Sequence, residues 1–181
     1  MISFKDNIDI WVVDQKRIVM DGEKQVLCAI LNQYGIKIKN FGHHKTGKPH
    51  LKGQDIKISI SRSGGVSAFA FSHKDEIGLD VEKVRLLDGV ENFSNYIFVK
   101  KHVKNIMYFH GLAQSCVFFK YWTLYEAYAK LTGKGLTDVL NNKKRLAFDI
   151  NTNFICTFKI GKKYIGTIIC GKKKRVKIIN F

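Results

Sequence analysis

Two short segments of the chain place carboxylates among apolar residues, where acidic side chains are rare unless a positive charge balances them. Asp80 and Glu82 lie in the run I-G-L-D-V-E at residues 77–82, and Glu126 lies in the run F-K-Y-W-T-L-Y-E-A-Y-A-K at residues 119–130. Acids are scarce in this chain, which has 15 Asp and Glu against 31 Lys and Arg. Oxygen donors in such surroundings predict a divalent cation, and a few carboxylates suit Mg²⁺, which takes its other ligands from water and phosphate.

The spacing of Asp80 and Glu82 suits one shared ion. On a β-strand, residues two apart project from the same face, with their Cα atoms roughly 6.5 Å apart. Gly78, just before the pair, leaves room for a ligand or for the backbone of another element. The alternative is an exposed strand face that carries two acids by chance.

Glu126 is expected on the buried stripe of a helix. It follows Trp122 by four residues and Phe119 by seven, and Lys130 comes one turn later on the same face. A structural ion pair between Glu126 and Lys130 is the alternative explanation. The presence of Asp80 and Glu82 elsewhere in the chain favours a metal site.

The pattern of apolar residues predicts an α+β chain. Helices are predicted over residues 14–34, 91–107 and 113–131. Strands are predicted over residues 36–39, 55–61, 66–71, 76–83, 146–150, 154–160, 164–170 and 175–179. The strands at 55–61, 66–71 and 76–83 are expected to form an antiparallel meander, after a loop at residues 42–53. Because helix followed by sheet occurs twice, we expect two similar helix-plus-antiparallel-sheet lobes, residues 1–75 and 76–181, related by pseudo-twofold symmetry.

Composition narrows the class of protein. Of the 181 residues, 45% are hydrophobic and 12% aromatic, which excludes a disordered chain. No apolar run approaches the length of a membrane span and the first residues form no signal peptide, so we expect a soluble cytoplasmic protein. The four cysteines show no zinc or disulfide pattern and are expected to be reduced thiols. A net charge of +16 predicts an anionic partner: nucleic acid, a membrane surface, a phosphorylated cofactor or an acidic protein.

Together these motifs resemble those of the 4′-phosphopantetheinyl transferases, of the long, two-lobed type that activates peptide synthetases and polyketide synthases. That family reads G-(I/V/L)-D-(I/V)-E, then F-x-x-x-W-(S/T)-x-K-E-(A/S)-x-x-K, then G-K-G-L, and the similar stretches here are residues 78–82, 118–130 and 133–136. Residues 46–51 resemble the family's G-K-P loop, and residues 58–64 resemble its F-N-(L/I)-S-H-S-G strand end. The resemblance covers residues 21–136.

The resemblance implies an enzyme of the holo-acyl-carrier-protein synthase type. It would transfer the phosphopantetheine arm of coenzyme A to a serine of an apo acyl or peptidyl carrier protein, releasing adenosine 3′,5′-bisphosphate, in fatty acid, polyketide or nonribosomal peptide biosynthesis. Asp80, Glu82 and Glu126 would hold Mg²⁺ on the pyrophosphate. Glu126, or a metal-bound water that it orients, would deprotonate the serine, and Lys130 would contact the phosphates.

By the same resemblance, residues 1–75 would supply the nucleotide side of the coenzyme A site through Lys48, Pro49, Ser61, Arg62 and Arg17. Lys48 and Pro49 would lie near the adenine, although a simple turn would also explain them. Ser61 and Arg62 would reach phosphate. Arg17, or its neighbour Lys16, would add charge at the 3′-phosphate.

Two residues depart from the family pattern. Arg62 stands where the family has His, and it can still donate two hydrogen bonds to phosphate. Tyr125 stands where the family has Lys, just before Glu126, so a positive charge is missing. The alternative is therefore a catalytically impaired family member, which binds coenzyme A or a carrier protein without efficient turnover. We predict that the variant Tyr125→Lys transfers the arm equally fast or faster. Alternatively, Tyr125 belongs to an aromatic core with Tyr121 and Tyr128.

The charge fits an acidic carrier protein as partner, because carriers of this kind are acidic around the modified serine. The lysine-rich stretches at residues 162–163 and 172–175 accompany no nucleic-acid-binding motif and are read as solvated turns. We expect neither a nucleic acid nor a membrane as partner. A monomer is expected, since a two-lobed chain can build the site within one subunit.

Overall fold

The computed structural model describes residues 7–37, 41–43, 47–51 and 53–181. The strands are β1 (Asn7–Asp14), β2 (Phe41–His43), β3 (Pro49–Leu51), β4 (Ile56–Ser63), β5 (Val66–His73), β6 (Ile77–Lys83), β7 (Phe154–Ile160), β8 (Tyr164–Cys170) and β9 (Arg175–Asn180). The helices are α1 (Gln15–Asp21), α2 (Glu23–Asn32), α3 (Val90–Ile97), α4 (Lys100–Met107), α5 (Gly111–Thr132), α6 (Leu136–Asn141) and α7 (Lys143–Thr152). The chain is thus α+β, as predicted.

The strands form two sheets. Six of them lie in the order β2-β3-β4-β5-β1-β9, and the other three in the order β6-β8-β7. Neighbours are antiparallel except β1 and β9, which pair in parallel from Asn7 beside Arg175 onward. Strand β9 therefore brings the last part of the chain into the sheet that the first part builds. The division into lobes at residue 75 and their pseudo-twofold symmetry stay predictions.

The elements stack in layers. Helices α1 and α2 cover one face of the six-stranded sheet, with residues such as Leu27 and Phe69 between them. The opposite face packs against the three-stranded sheet, where Ile10 meets β6 and β8 in an apolar core. The remaining helices cover the far side of that smaller sheet and bury residues such as Phe119 and Ile169. Strand β6 thus lies in the middle of the molecule.

Two predicted helices are broken. Residues 14–34 form α1 and α2 rather than one helix, because Gly22 between them has φ 82° and ψ 144°, outside helical geometry. Residues 91–107 form α3 and α4, because Phe98 and Val99 are extended. Phe98 is 3% exposed and packs among aromatic rings of α5, which explains why the chain leaves the helix there.

Strands β4, β5, β7, β8 and β9 lie where the alternation predicted them. The predicted meander is right for β4 and β5, which pair antiparallel, and wrong for β6, which pairs with β8 of the other sheet. Residues 146–150 belong to helix α7, since a short apolar run does not distinguish a strand from a helix. The loop at residues 42–53 contains β2 and β3, which are only three residues long.

Two further differences lie in the first part of the chain. Strand β1 was missed because it is buried on both faces and shows no alternation of polar and apolar residues. Ile36 and Lys37 are not in a strand, and the rest of the strand predicted at 36–39 falls outside the described residues. Among the helices described here, none has both the length and the apolar character needed to cross a bilayer.

Candidate functional site

Strand β6 presents Asp80 and Glu82 to helix α5. Leu79 and Val81 face the opposite way and are fully buried in the core between the two sheets. Because side chains alternate along a strand, the two carboxylates project from the other face, which α5 covers. The sequence pattern predicted that the two carboxylates share one face of the strand, and the structure shows that α5 covers that face.

Gly78 permits that helix to lie close to β6. A Cβ atom at this position would lie 1.9 Å from the carbonyl oxygen of Ala127 and 2.6 Å from the backbone nitrogen of Leu131. Such separations are far below van der Waals contact, so a side chain would push α5 away. The prediction that Gly78 admits another backbone is confirmed.

Asp80 is the most buried of the three carboxylates, at 4% exposed. Its Oδ1 accepts hydrogen bonds from Lys130 Nζ at 2.8 Å and from Ser61 Oγ at 2.8 Å. Its Oδ2 is buried and has no hydrogen-bond partner among the described residues. Burial raises the pKa of Asp80, and Lys130 and Ser61 offset part of that rise. An exposed strand face is therefore the wrong explanation for this residue.

Lys130 pairs with Asp80 rather than with Glu126, so the alternative explanation of a helical ion pair is not what the structure shows. The pair joins two elements instead. Glu126 is half-buried on α5. Burial raises the pKa of Glu126, and so does the negative charge of Asp80, while Lys130 lowers it and Glu82 raises it slightly. These effects show that the three carboxylates lie close enough to repel one another.

Glu82 is held from the neighbouring strand. Its Oε2 accepts a hydrogen bond from Ser63 Oγ at 2.6 Å. Ser61 and Ser63, both on β4, thus contact the two carboxylates of β6. Sequence reasoning missed Ser63, although the alternation S-x-S-x-S at residues 59–63 places three hydroxyls on one face of a strand.

The carboxylate oxygens of Asp80, Glu82 and Glu126 are of the chemical type that binds Mg²⁺. In the described part of the chain, no group of three or more His, Cys, Asp or Glu side chains converges closely enough to hold one ion. A cage of three carboxylates is therefore not formed as the side chains stand. Mg²⁺, however, commonly binds one or two carboxylates and completes its shell with water and phosphate. Oδ2 of Asp80 has no hydrogen-bond partner among the described residues, and the carboxylates of Glu82 and Glu126 lie nearby. These groups are oxygen ligands of the type that Mg²⁺ binds.

A cavity of about 240 Å³ opens beside this cluster. It is lined by residues of both halves of the chain: Gly47, Lys48, Pro49, Ser59, Ile60, Glu126, Ala129, Lys130, Gly133, Gly135 and Leu136. The predicted G-K-P loop and the turn after α5 therefore meet at one cavity with Glu126. Gly133 ends α5 in the left-handed conformation, with φ 67°, and turns the chain along the rim.

Lys48 does more than occupy a turn. Its side chain is 16% exposed, and Nζ donates to Glu76 Oε2 at 2.6 Å and to the carbonyl oxygen of Leu131 at 3.1 Å. Lys48 thus ties the loop before β3 to the last turn of α5. Glu76, which also pairs with Lys57 at 2.9 Å, was not identified from the sequence. Thr46, at the start of the matching loop motif, lies outside the described residues.

Two predicted site residues lie elsewhere. Arg62 projects from the face of β4 opposite to Ser61 and forms an ion pair with Glu23 on α2. The Arg17 guanidinium lies 4.1 Å from the ring centroid of Phe181, the residue that follows β9. Strand β9 is at the opposite edge of the six-stranded sheet from β2 and β3, near which Lys48 lies. Neither side chain lines the cavity beside the carboxylates.

Tyr125 points away from the site. It is fully buried, its ring meets Phe98 edge-on with centroids 5.0 Å apart, and its hydroxyl accepts a hydrogen bond from the Val99 backbone N–H at 3.2 Å. The aromatic-core interpretation is therefore correct, with Tyr121 6.0 Å from the same Phe98 ring. A lysine at this position would enter the core instead of adding charge beside Glu126. The prediction of equal or faster transfer by Tyr125→Lys stays untested, but the buried position of Tyr125 removes its physical reason. The case for an impaired enzyme loses its main argument.

Asp80, Glu82, Glu126 and Lys130 all lie in a segment that matches known proteins. Residues 76–174, more than half of the chain, match the model of the 4′-phosphopantetheinyl transferase superfamily. The 4′-phosphopantetheinyl transferase HetI of Nostoc sp. is 27% identical over 100 residues, which is 53% of this chain and 42% of that protein. A 4′-phosphopantetheinyl transferase of Bacillus subtilis is 28% identical over 119 residues, 64% of this chain and 52% of that protein.

A third relative, the 4′-phosphopantetheinyl transferase gsp of Aneurinibacillus migulanus, is 28% identical over 163 residues, covering 83% of this chain. The matched stretches span between 42% and 64% of the lengths of these relatives.

Proposed function

Since the chain belongs to the 4′-phosphopantetheinyl transferase superfamily, we propose that it moves the 4′-phosphopantetheine arm of coenzyme A to a serine of an apo acyl or peptidyl carrier protein. Adenosine 3′,5′-bisphosphate would be the second product. The observation that carries this proposal is that Glu126 and Lys130 line one cavity with Lys48 from the other half of the chain, while Lys130 also binds Asp80.

Asp80 and Glu82 would hold Mg²⁺, with Glu126 as a further ligand. When bound, the ion would neutralise the pyrophosphate and align the leaving group. Asp80 can supply an oxygen ligand through Oδ2, which has no hydrogen-bond partner among the described residues. Its other oxygen, Oδ1, accepts hydrogen bonds from Lys130 and Ser61. Lys130, 30% exposed, would add a positive charge next to the phosphates.

Glu126 would act as the general base. Its carboxylate lines the cavity, and without a bound ion its pKa is raised by burial and by the negative charge of Asp80. It would take the proton of the carrier serine as that oxygen bonds to the β-phosphorus and the bond from phosphorus to the bridging oxygen breaks. The leaving adenosine 3′,5′-bisphosphate keeps the bridging oxygen.

Lys48 and Pro49 would contact coenzyme A from the first half of the chain, since both line the cavity. Arg62 and Arg17 lie outside it, so Lys130 is the cation that we assign to the phosphates, while Lys48 keeps the place near the adenine that the family resemblance implies. The surplus of positive charge, +16 overall, suits an acidic carrier protein as the second substrate.

The test is direct. Purified protein is incubated with coenzyme A, Mg²⁺ and an apo carrier protein, and the carrier's intact mass is measured for one added phosphopantetheine arm. Transfer is expected, and it should fall at least roughly 100-fold in Glu126→Gln, because a general base contributes that much or more. Glu91→Gln, at an exposed position on α3, is the matched control and should retain activity. Failure to modify any of several acyl and peptidyl carriers would contradict the proposal.

A further inference from the structure

Strands β4 and β6 run side by side in the same direction but are joined by side chains instead of a backbone ladder. Three backbone N–H groups of β6 donate to three serine hydroxyls of β4: Leu79 to Ser59 at 2.9 Å, Val81 to Ser61 at 3.1 Å and Lys83 to Ser63 at 3.1 Å. We refer to Ser59, Ser61 and Ser63 as the serine ladder. It satisfies the edge of β6 that does not pair with β8, where buried N–H groups would otherwise lack acceptors.

Two rungs of the serine ladder also reach carboxylates. Ser61 Oγ donates to Asp80 Oδ1 at 2.8 Å, and Ser63 Oγ donates to Glu82 Oε2 at 2.6 Å. A serine hydroxyl has one proton and can accept at the same time. The hydroxyl oxygens of Ser61 and Ser63 already accept hydrogen bonds from the N–H groups of Val81 and Lys83. Each hydroxyl proton is therefore donated to the carboxylate of the preceding β6 residue, Asp80 or Glu82.

The third rung has no such partner. Ser59 accepts from the N–H of Leu79, and the residue before it is Gly78, which has no side chain. The serine ladder therefore contains its own internal control: Ser59 joins the strands in the same way as Ser61 but orients no acid.

We propose that Ser61 and Ser63 are positioning residues, which hold Asp80 and Glu82 so that one oxygen of each carboxylate stays available for a divalent cation. The proposal rests on the proposed function and refines it. For Asp80, the oxygen left over is the buried Oδ2. For Ser61, this role replaces the phosphate contact expected from the family resemblance, because its only proton is donated to Asp80.

The experiment titrates the full-length protein with Mn²⁺ alone, as a probe for Mg²⁺, and follows free Mn²⁺ by electron paramagnetic resonance. Ser61→Ala and Ser63→Ala should each weaken binding roughly tenfold or more, the usual effect of removing a group that orients a metal ligand. Ser59→Ala should bind Mn²⁺ as the wild type does, although it loses the same kind of inter-strand hydrogen bond. Ser63→Thr, which keeps the hydroxyl, should restore the affinity that Ser63→Ala loses.

Thermal unfolding of each variant shows whether a change in Mn²⁺ affinity comes from loss of folding. Ser59→Ala measures how much one hydrogen bond of the serine ladder contributes to stability. Equal Mn²⁺ affinities in the three alanine variants would overturn the positioning role, and so would a wild type that binds no Mn²⁺. Phosphopantetheine transfer is measured on the wild type, Ser61→Ala and Ser63→Ala; Ser59→Ala is a control for Mn²⁺ binding only, because Ser59 lines the cavity. Loss of Mn²⁺ affinity in Ser61→Ala and Ser63→Ala would support the positioning role even if the wild type modified no carrier, an outcome that would reject the proposed reaction alone.

Discussion

At the scale of single residues, Asp80 connects three elements. Its backbone belongs to β6, and its carboxylate accepts hydrogen bonds from Ser61 on β4 and Lys130 on α5. Removing a charge from water costs several kcal/mol unless an opposite charge lies near, so Asp80 depends on Lys130 for its burial. Lys130 thus serves the folded state as well as the phosphate contact that we propose.

Tyr125 shows that a neighbour of a site residue in sequence can lie outside the site. Tyr125→Lys is expected to destabilise the protein by about 3 kcal/mol or more, because a charged ammonium group would replace a neutral hydroxyl among aromatic rings beside His102, and the Val99 N–H would lose its acceptor. Urea unfolding measures the change. Tyr125→Phe is the control and should lose about 1–2 kcal/mol, for the hydrogen bonds of the hydroxyl with Val99 and His102. A stable Tyr125→Lys protein with faster transfer would show that the side chain reaches the site after all.

His102 makes stability depend on pH. It stacks on Tyr121 with centroids 4.0 Å apart, and burial together with Lys101 lowers its pKa to about 4. The unfolded chain, with a histidine pKa near 6.5, binds the proton more readily, so stability should fall as pH drops from about 6.5 to about 4.

The comparison variant is His102→Phe, which keeps an aromatic ring but cannot titrate. Its urea midpoint should change less between neutral and mildly acidic pH than that of the wild type. His110→Phe, at an exposed position, should leave the pH dependence unaltered. An identical pH dependence in wild type and His102→Phe would contradict the role of His102.

At the scale of elements, the contact between β6 and α5 sets the geometry of the site. Gly78→Ala should destabilise the protein by about 3 kcal/mol, the upper range for overpacking, because the added methyl group meets backbone atoms that cannot rotate away. The displacement should also separate Glu126 from Asp80 and slow transfer. Urea unfolding and the mass assay measure the two effects. Gly171→Ala is the control, since an added Cβ there meets nothing within 4 Å.

The cavity also depends on contacts between elements. Lys48 reaches from the loop before β3 to Glu76 and to the end of α5, and Gly133 ends that helix so that the following turn lines the rim. The G-K-P loop and the G-K-G-L turn are far apart in sequence, and each is a short turn motif by itself. They form one cavity only because the two sheets pack face to face.

At the scale of the whole molecule, the charge of +16 should favour the encounter with the acidic carrier protein that we propose as second substrate. We expect kcat/KM for an acidic carrier protein to fall roughly tenfold or more from low to high ionic strength, because salt screens the long-range attraction. Transfer rates at saturating coenzyme A, measured by intact mass, give the dependence. The rate at saturating carrier protein should change much less. A salt-independent kcat/KM would show that charge does not steer the encounter.

The sequence alone determined the chemical content of the site. The two acids on one strand face, Glu126 and Lys130 one turn apart on a helix, and the glycine that ends that helix are local patterns, and periodicity records them directly. The same holds for most strands, whose polar and apolar residues alternate. The α+β class followed from these elements.

Only the tertiary structure decided which of these residues meet. Asp80 and Lys130 are 50 residues apart, and Asp80 and Ser61 are 19 apart, so no local pattern could indicate that they pair. The same limit explains why β6 was assigned to the wrong sheet and why Arg62 and Arg17 were expected beside a cavity that neither lines. It also explains why the sequence left open whether Tyr125 deprives the site of a charge or belongs to the aromatic core. Periodicity indicates that a side chain is buried, whereas the packing of distant segments selects the partner against which it is buried.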